Sequence, residues 1–408
     1  MQFTSSFVAL VAAALVSAAP ARFYGKRAPG ATDILVYKFA DVLEQLESTF
    51  YSQALSKFQD SDFQAAGFTA SQIAIEQFKV IQSDEATHST VLQAALKSFG
   101  ETPITSCKFN FDSALTDVAT MAATARVVEA VGVGAYLGGA TLMTDPVLLD
   151  SAASILTVEA RHQTILNLLS GTGTAVPAAF DISLTPSEVL ALAGPFFDGA
   201  CDLGIPANPA LSLTNTGVVA PGTKLSFSTP AITSANDTSK LFCQMMLGGQ
   251  PFSIPLPFDN CVVPDGVNGP VGIWITSDGQ PLTNNVRDRA TTQLVAGPTM
   301  AFIDTQPQML SQLTRGSASG SSGSSSSDSA GAPAASSVST ATISPAEASS
   351  IIASASATAS AAGPNATASE STPQTDASVS TPATPGSPNT ATGPSSDGSI
   401  NVVGWSNI

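Results

Sequence analysis

The chain contains two histidines, and each stands three residues after a glutamate: Glu85-Ala-Thr-His88 and Glu159-Ala-Arg-His162. Residues three apart share one face of an α-helix, so each pair can reach a single point if its segment is helical. Both segments have helical periodicity. The rows Phe78, Ile81, Glu85, His88, Leu92, Ala95, Phe99 and Leu148, Ala152, Ile155, Glu159, His162, Leu166, Leu169 are apolar except at these pairs. A third row, Leu115, Val118, Ala122, Ala125, Glu129, Gly132, Tyr136, Gly139, Met143, is interrupted in the same way by Glu129. Carboxylates on the buried seam of a helix are costly unless they are paired, protonated or bound to a cation. With ten glutamates in the chain, one falls three residues before a given histidine about one time in forty by chance, so both histidines satisfy the rule by chance about once in 1,600.

The surrounding pattern predicts four long helices. The first covers Ala31–Lys57, with the apolar row Val36, Ala40, Leu43, Phe50, Ala54. The second covers Ala70–Phe99, with Thr69 as N-cap and Gly100 beyond its end. The third runs from Ser113 to Met143 with Asp112 as cap. The fourth runs from Pro146 to Leu169 with Asp145 as cap, proline at the first helical position and Gly171 as stop. A shorter helix, Pro186–Gly199, follows Thr185. Short first-to-second and third-to-fourth links suit antiparallel hairpins, and Gly100–Phe111 is long enough for a crossover. Four such helices describe a mainly α protein built on a four-helix bundle. Gly132, Gly134, Gly138 and Gly139 either open a channel to the interior or allow close helix packing, and packing is the simpler reading. For Tyr51 and Tyr136, core or rim packing competes with roles as hydrogen-bond donors or radical sites.

Beyond residue 210 the punctuation changes to Gly and Pro. Lys224–Ser228, Leu241–Leu247, Phe252–Pro257, Val271–Thr276 and Thr299–Asp304 read as strands, with a turn at Ser277-Asp278-Gly279. They suggest a small β-sandwich-like module that serves for binding or as a spacer. From Gly316 onward Ser, Thr, Ala, Pro and Gly dominate, and such a segment cannot bury enough apolar area to order itself. The expected organisation is therefore 1–19 signal peptide, 20–27 propeptide ending in Lys26-Arg27, 28–210 bundle, 211–315 β-rich module and 316–408 O-glycosylated tail. The apolar run Phe7–Val16 with Ala18 and Ala19 after it marks the signal peptide, and it is too short to span a bilayer. The last residues lack the hydrophobic tail of a lipid-anchor signal, so no lipid anchor is expected. Asn236 and Asn365 head N-glycosylation sequons. Four cysteines permit three pairings, of which Cys107 with Cys201 and Cys243 with Cys261 keep each bond inside one region. All of this points to a secreted, extracellular protein, with the cell wall as one location for it. Fifteen Lys+Arg against 31 Asp+Glu give a net charge of −16, which argues against nucleic-acid binding and against docking on an anionic membrane.

Two Glu-x-x-His helices with one glutamate from each of the other two make the di-iron or di-manganese carboxylate site of four-helix bundles. Glu129 supplies the third helix. The first offers Glu44 and Glu47. On a helical wheel Glu47 lies about 40° from Leu43, inside the apolar stripe, and Glu44 about 100° away at its edge. Glu47 is therefore preferred, with Glu44 as the alternative. The donor set suits two Fe or two Mn ions and does not choose between them.

The run Leu43-Glu-Gln-Leu-Glu-Ser-Thr-Phe-Tyr51 and the layout of helices followed by a Ser/Thr-rich tail resemble a secreted fungal ferritin-like family. That family includes late sexual development proteins and their stress-response relatives. The resemblance covers about half the chain. It implies the bundle and a dinuclear site at Glu47, Glu85, His88, Glu129, Glu159 and His162, and it implies no particular reaction. The signal peptide, β-module and tail depart from cage-forming ferritins. Two functions compete: an oxidoreductase acting on a small oxidant such as peroxide or oxygen, and a non-catalytic extracellular or cell-wall protein with a structural or vestigial metal site.

Overall fold

The computed structural model describes residues 28–315 except 234–236 and 290, together with 393–394 and 401–402. The expected signal peptide, the dibasic site, the asparagines of both sequons and almost all of the tail lie outside these residues. The chain divides into two compact units, Met1–Ser322 and Gly323–Ile408. In the second, the described residues are two short strands, Gly393–Pro394 and Asn401–Val402, paired antiparallel.

The first unit begins with α1 (Ala31–Lys57), a short α2 (Asp60–Ala65) and α3 (Ser71–Ser98). Then come α4 (Val118–Ala140) and α5 (Pro146–Leu169). The helices α1 and α3 form one hairpin, α4 and α5 the other, and the extended segment 99–117 crosses between them. The bounds of α1 and α5 match the sequence reading, and Asp145 caps α5 by accepting from the backbone N–H groups of Val147 and Leu148. The third helix begins five residues later than predicted. Asp117, not Asp112, caps it by accepting from Thr120, and Asp112 instead belongs to a turn with Asn110. Thr69 does not cap α3, whose N-cap is Ala70 and has no side-chain bond. Thr69 donates its backbone N–H to Thr314.

The helix α4 is apolar and long enough to cross a membrane by composition. Its apolarity has a local cause, because it is covered on several sides. The extended segment at Ile182–Leu184 lies directly against it, with Leu184 donating to the Gly134 carbonyl at 2.9 Å. A Cβ at Gly138 would stand 1.8 Å from the Leu184 carbonyl oxygen, and one at Gly134 2.8 Å from that of Ile182. These two glycines are packing glycines.

After α5 the helix α6 (Pro186–Ala193) starts at a capping box between Thr185 and Glu188. A two-stranded ribbon pairs β1 (Ser212–Leu213) with β2 (Phe227–Ser228). A four-stranded antiparallel sheet is built from β3 (Phe242–Leu247), β4 (Ile254–Pro257), β5 (Gly269–Thr276) and β6 (Leu294–Ile303), in the order β4-β3-β5-β6. A last short helix, α7 (Met309–Thr314), follows. The expected two facing sheets of a sandwich are thus one four-stranded sheet and a small ribbon. Alternation along the strands explains why. Cys243, Met245, Val271, Ile273 and Ile275 face one core with Leu211 and Leu225. Met246 and Trp274 face the opposite way, into the helical core with Val189 and Leu190. Helices therefore cover the face that a second full sheet would occupy. The boundary near residue 210 separates helices from strands, but both sides belong to one unit. Disulfides join Cys107 to Cys201 and Cys243 to Cys261, the pairing preferred from the sequence.

Candidate metal centre

Each long helix delivers acidic side chains to the bundle interior. Glu85 from α3, Glu129 from α4 and Glu159 from α5 are 0% exposed. His162 is buried and the His88 side chain is 11% exposed. Two groups of potential ligand atoms form, each within 4.8 Å: Glu44, Glu85, His88 and Glu159, and Glu85, Glu129, Glu159 and His162. Glu85 and Glu159 belong to both.

The two glutamates of α1 are placed differently from the wheel argument. Glu44 joins the first group. Glu47 is also buried but lies beside Gly132, where a Cβ would meet Glu47 Oε1 at 3.1 Å and Glu159 Oε2 at 2.6 Å. The reason is that α1 buries two rows. One is the apolar row ending in Phe50 and Ala54, and the other is Tyr37, Asp41, Glu44 and Tyr51. The apolar stripe marks only the first, and the polar row faces the other acidic helices. Asp41, for example, accepts from Ser89 of α3 at 2.8 Å.

The atoms converge on shared points rather than on each other. His162 Nδ1 lies 2.8 Å from Glu85 Oε1 and 3.3 Å from Glu129 Oε2. Even so, these three atoms and both oxygens of Glu159 have no hydrogen-bond partner of acceptable geometry. His88 Nδ1 lies 3.2 Å from both Glu44 and Glu85 and 3.5 Å from Glu159. Buried, orphaned oxygens around an imidazole nitrogen fit a cation at their centre, because a cation satisfies several lone pairs that no single donor can reach.

The electrostatics agree. Burial, and then the neighbouring Glu159 and Glu129, push the Glu85 carboxyl well above its usual range. Burial, Glu129 and Glu44 push Glu159 up to about 8. Glu47 is raised by burial and by Glu159. Burial opposes charge on His88, but Glu159, Glu44 and Glu85 outweigh it and raise it to about 12. In the same balance Glu129 raises His162 to about 9. Protons thus gather where excess negative charge is buried, which is also where a divalent ion would compensate it.

Neighbouring side chains hold the groups in place. Tyr51 of α1 donates to Glu129 Oε1 at 2.5 Å, and Tyr136 of α4 donates to Glu44 Oε1. Each tyrosine thus crosses to the glutamate of the other hairpin. Asp84 faces His162 Nε2 at 3.1 Å, so Nδ1 is left for the centre. The matching position before Glu159 is Val158, and this arrangement therefore exists on one side only. Of the two competing readings for these tyrosines, the structure shows the hydrogen-bond donors, and Asp84 carries no helical-row signal of its own in the sequence. One signal was present: Glu-x6-Tyr occurs at Glu44–Tyr51 and again at Glu129–Tyr136. That repeat singles out Glu44 over Glu47, although in the fold each tyrosine bonds the glutamate of the other copy of the repeat. A solvent-facing opening of about 310 Å3 between α3 and α5 reaches His88 and His162, and its wall combines the polar Gln77, Asp84, Thr87 and Arg161 with the apolar Val80, Ile81, Val158 and Ile165.

A helix bundle with an interior Glu/His cluster of this kind has the donor set to hold metal ions. In agreement, residues 32–172 match the family model described as a ferritin-like domain. The match spans α1 to α5, which carry every residue of the cluster. No curated protein matches the chain.

Proposed function

We propose that Glu44, Glu85, His88, Glu129, Glu159 and His162 hold two divalent ions, iron or manganese, and that the protein is a secreted oxidoreductase acting on peroxide or dioxygen. The observation that carries this reading is the sharing of Glu85 and Glu159 by two four-residue groups. Two carboxylates common to both groups suit a bridged pair, and one Glu and one His complete each half. Carboxylate oxygen and imidazole nitrogen together suit iron and manganese. Such a pair, when bound, exchanges electrons with peroxide or dioxygen.

The protein's own side chains orient and charge the site. Glu44 and Glu129 are each fixed by a tyrosine O–H. Asp84 accepts from His162 Nε2, which sets that ring's tautomer. The opening beside His88 and His162 gives water, ions and peroxide a path. Two disulfides fit an oxidising compartment, and secretion with a glycosylated tail and the resemblance to fungal developmental and stress proteins extend that reading.

Metal content of the full chain, measured by elemental mass spectrometry after expression with iron and manganese supplied, tests the proposal. Near two ions per chain are expected, and they should be lost in the His88→Ala/His162→Ala double variant. A folded wild-type chain with essentially no metal would overturn the site and favour a non-catalytic extracellular or cell-wall role.

A further inference from the structure

The carboxylate cluster has a second neighbouring space, more apolar than the opening between α3 and α5. A narrow cavity of about 50 Å3 runs between α1 and α4, from Thr32 and Leu142 at one end to Glu47 and Gly132 at the other. Ala40 and Gly139 form part of its walls. The lining is hydrocarbon apart from very few groups, of which the Tyr136 hydroxyl is already engaged by Glu44. Glu47 is the exception. It is 4% exposed, borders the cavity, and is reached by no hydrogen bond among the described residues.

The glycines of α4 separate on this evidence of space. Gly134 and Gly138 are filled by the Ile182–Leu184 segment. Gly139 is not: a Cβ there would meet only Val36 Cγ1, at 3.3 Å. At Gly132 a Cβ would meet the carboxylate oxygens of Glu159 at 2.6 Å and Glu47 at 3.1 Å, so the missing side chain makes room for these two groups at the inner end of the cavity. Helix packing accounts for two glycines, and the other two border the cavity.

Water needs two to four polar partners to occupy such a site, and narrow apolar cavities stay dry yet take up apolar guests. The volume is about a third of the ~150 Å3 apolar cavity that accepts benzene, so a diatomic molecule fits and an aromatic ring does not. We propose that the α1/α4 cavity is a dioxygen-holding site and entry route to the metal pair, separate from the α3/α5 opening; this rests on the metal-centre reading above.

The test uses the full chain in wild-type form and as two single variants, Gly139→Leu and Ala40→Leu, which fill the cavity from opposite helices without touching a proposed ligand. Crystals pressurised with xenon should show xenon between Ala40 and Gly139 in the wild type, with or without metal, and none in the variants. Metal content should stay near the wild-type value. Oxidation of the ferrous-loaded protein by dioxygen should slow about ten-fold or more, whereas oxidation by hydrogen peroxide, arriving through the α3/α5 opening, should be unchanged. Absence of xenon from the wild-type cavity overturns the proposal. So does an unchanged dioxygen rate in a metal-loaded variant whose filled cavity excludes xenon. A wild-type chain that takes up no metal overturns the metal-centre reading itself, and with it the route. With two variants on different helices, misfolding of one leaves the other to decide.

Discussion

At the scale of single residues, the two glutamates of α1 give the sharpest test. Glu44 lies within the first group of potential ligand atoms and Glu47 beside it. Loss of a ligand should exceed the about 10–100-fold affinity cost typical of outer-shell changes. Glu44→Gln should therefore weaken Mn2+ binding by more than about 100-fold, and Glu47→Gln by less than about ten-fold. Chelator competition reads both, and equal losses would refute the distinction. Tyr51→Phe and Tyr136→Phe each remove one O–H donor from a terminal glutamate and should weaken binding by about ten-fold. The pairs Glu85/His88 and Glu159/His162 were legible because their three-residue spacing is a property of one helix. Glu44 was harder to select because α1 is buried on two faces, and hydrophobicity alone names only one of them.

At the scale of elements, α4 carries its constraint in its glycines. Because a Cβ at Gly138 would overlap the Leu184 backbone, Gly138→Ala must displace that segment. A cost of about 3 kcal/mol is expected from such overpacking, measurable by denaturant unfolding. Gly139→Ala, facing only a Val36 methyl, should cost far less, and equal costs would contradict the packing assignment. Helix α5 was legible to the residue, since Asp145 and Pro146 sit at its start. The start of α4 was not. Asp112 and Asp117 are both acceptable caps by type, and only the fold puts the Thr120 N–H beside Asp117. The short helices α2 and α7 escaped notice for a different reason: six residues are too few to display a period.

At the scale of the whole molecule, Glu188 joins helices to sheet. It closes the capping box of α6 and accepts from Trp274 Nε1 of β5 at 2.9 Å. It also accepts from Arg289 Nη1 at 2.9 Å, and that arginine is itself buried. Glu188→Ala leaves a buried guanidinium without its carboxylate and should cost about 3–5 kcal/mol. Chemical denaturation should show this as a loss of the entire unit, and loss of the β-strands alone would argue for two independent bodies. The acidic cluster also sets a pH response. In the metal-free protein Glu159 titrates near 8 rather than 4.5 and His162 near 9 rather than 6.5. Both groups hold their protons more tightly when folded, so their contribution is full at low pH. That from Glu159 falls between about 4.5 and 8, and that from His162 between about 6.5 and 9. Thermal melts of metal-free protein should therefore drop in Tm from pH 5 to pH 9. Added Mn2+ should reverse most of the drop, because the ion replaces the lost protons.

The four helices, their hairpin pairing, the Glu-x-x-His constellation and the change from helices to strands near residue 210 are all legible in the chain before it folds. These follow from spacing and local chemistry, which a chain carries wherever it folds. Which face of α1 meets the cluster, and which glycines pack, is set by the fold. The fold also makes the tyrosines cross between hairpins to hold Glu44 and Glu129, and lays Trp274 of the sheet against α6 instead of against a second sheet. Those outcomes depend on contacts between residues tens to hundreds of positions apart. A period along one element reports that a face is buried, and leaves open what buries it.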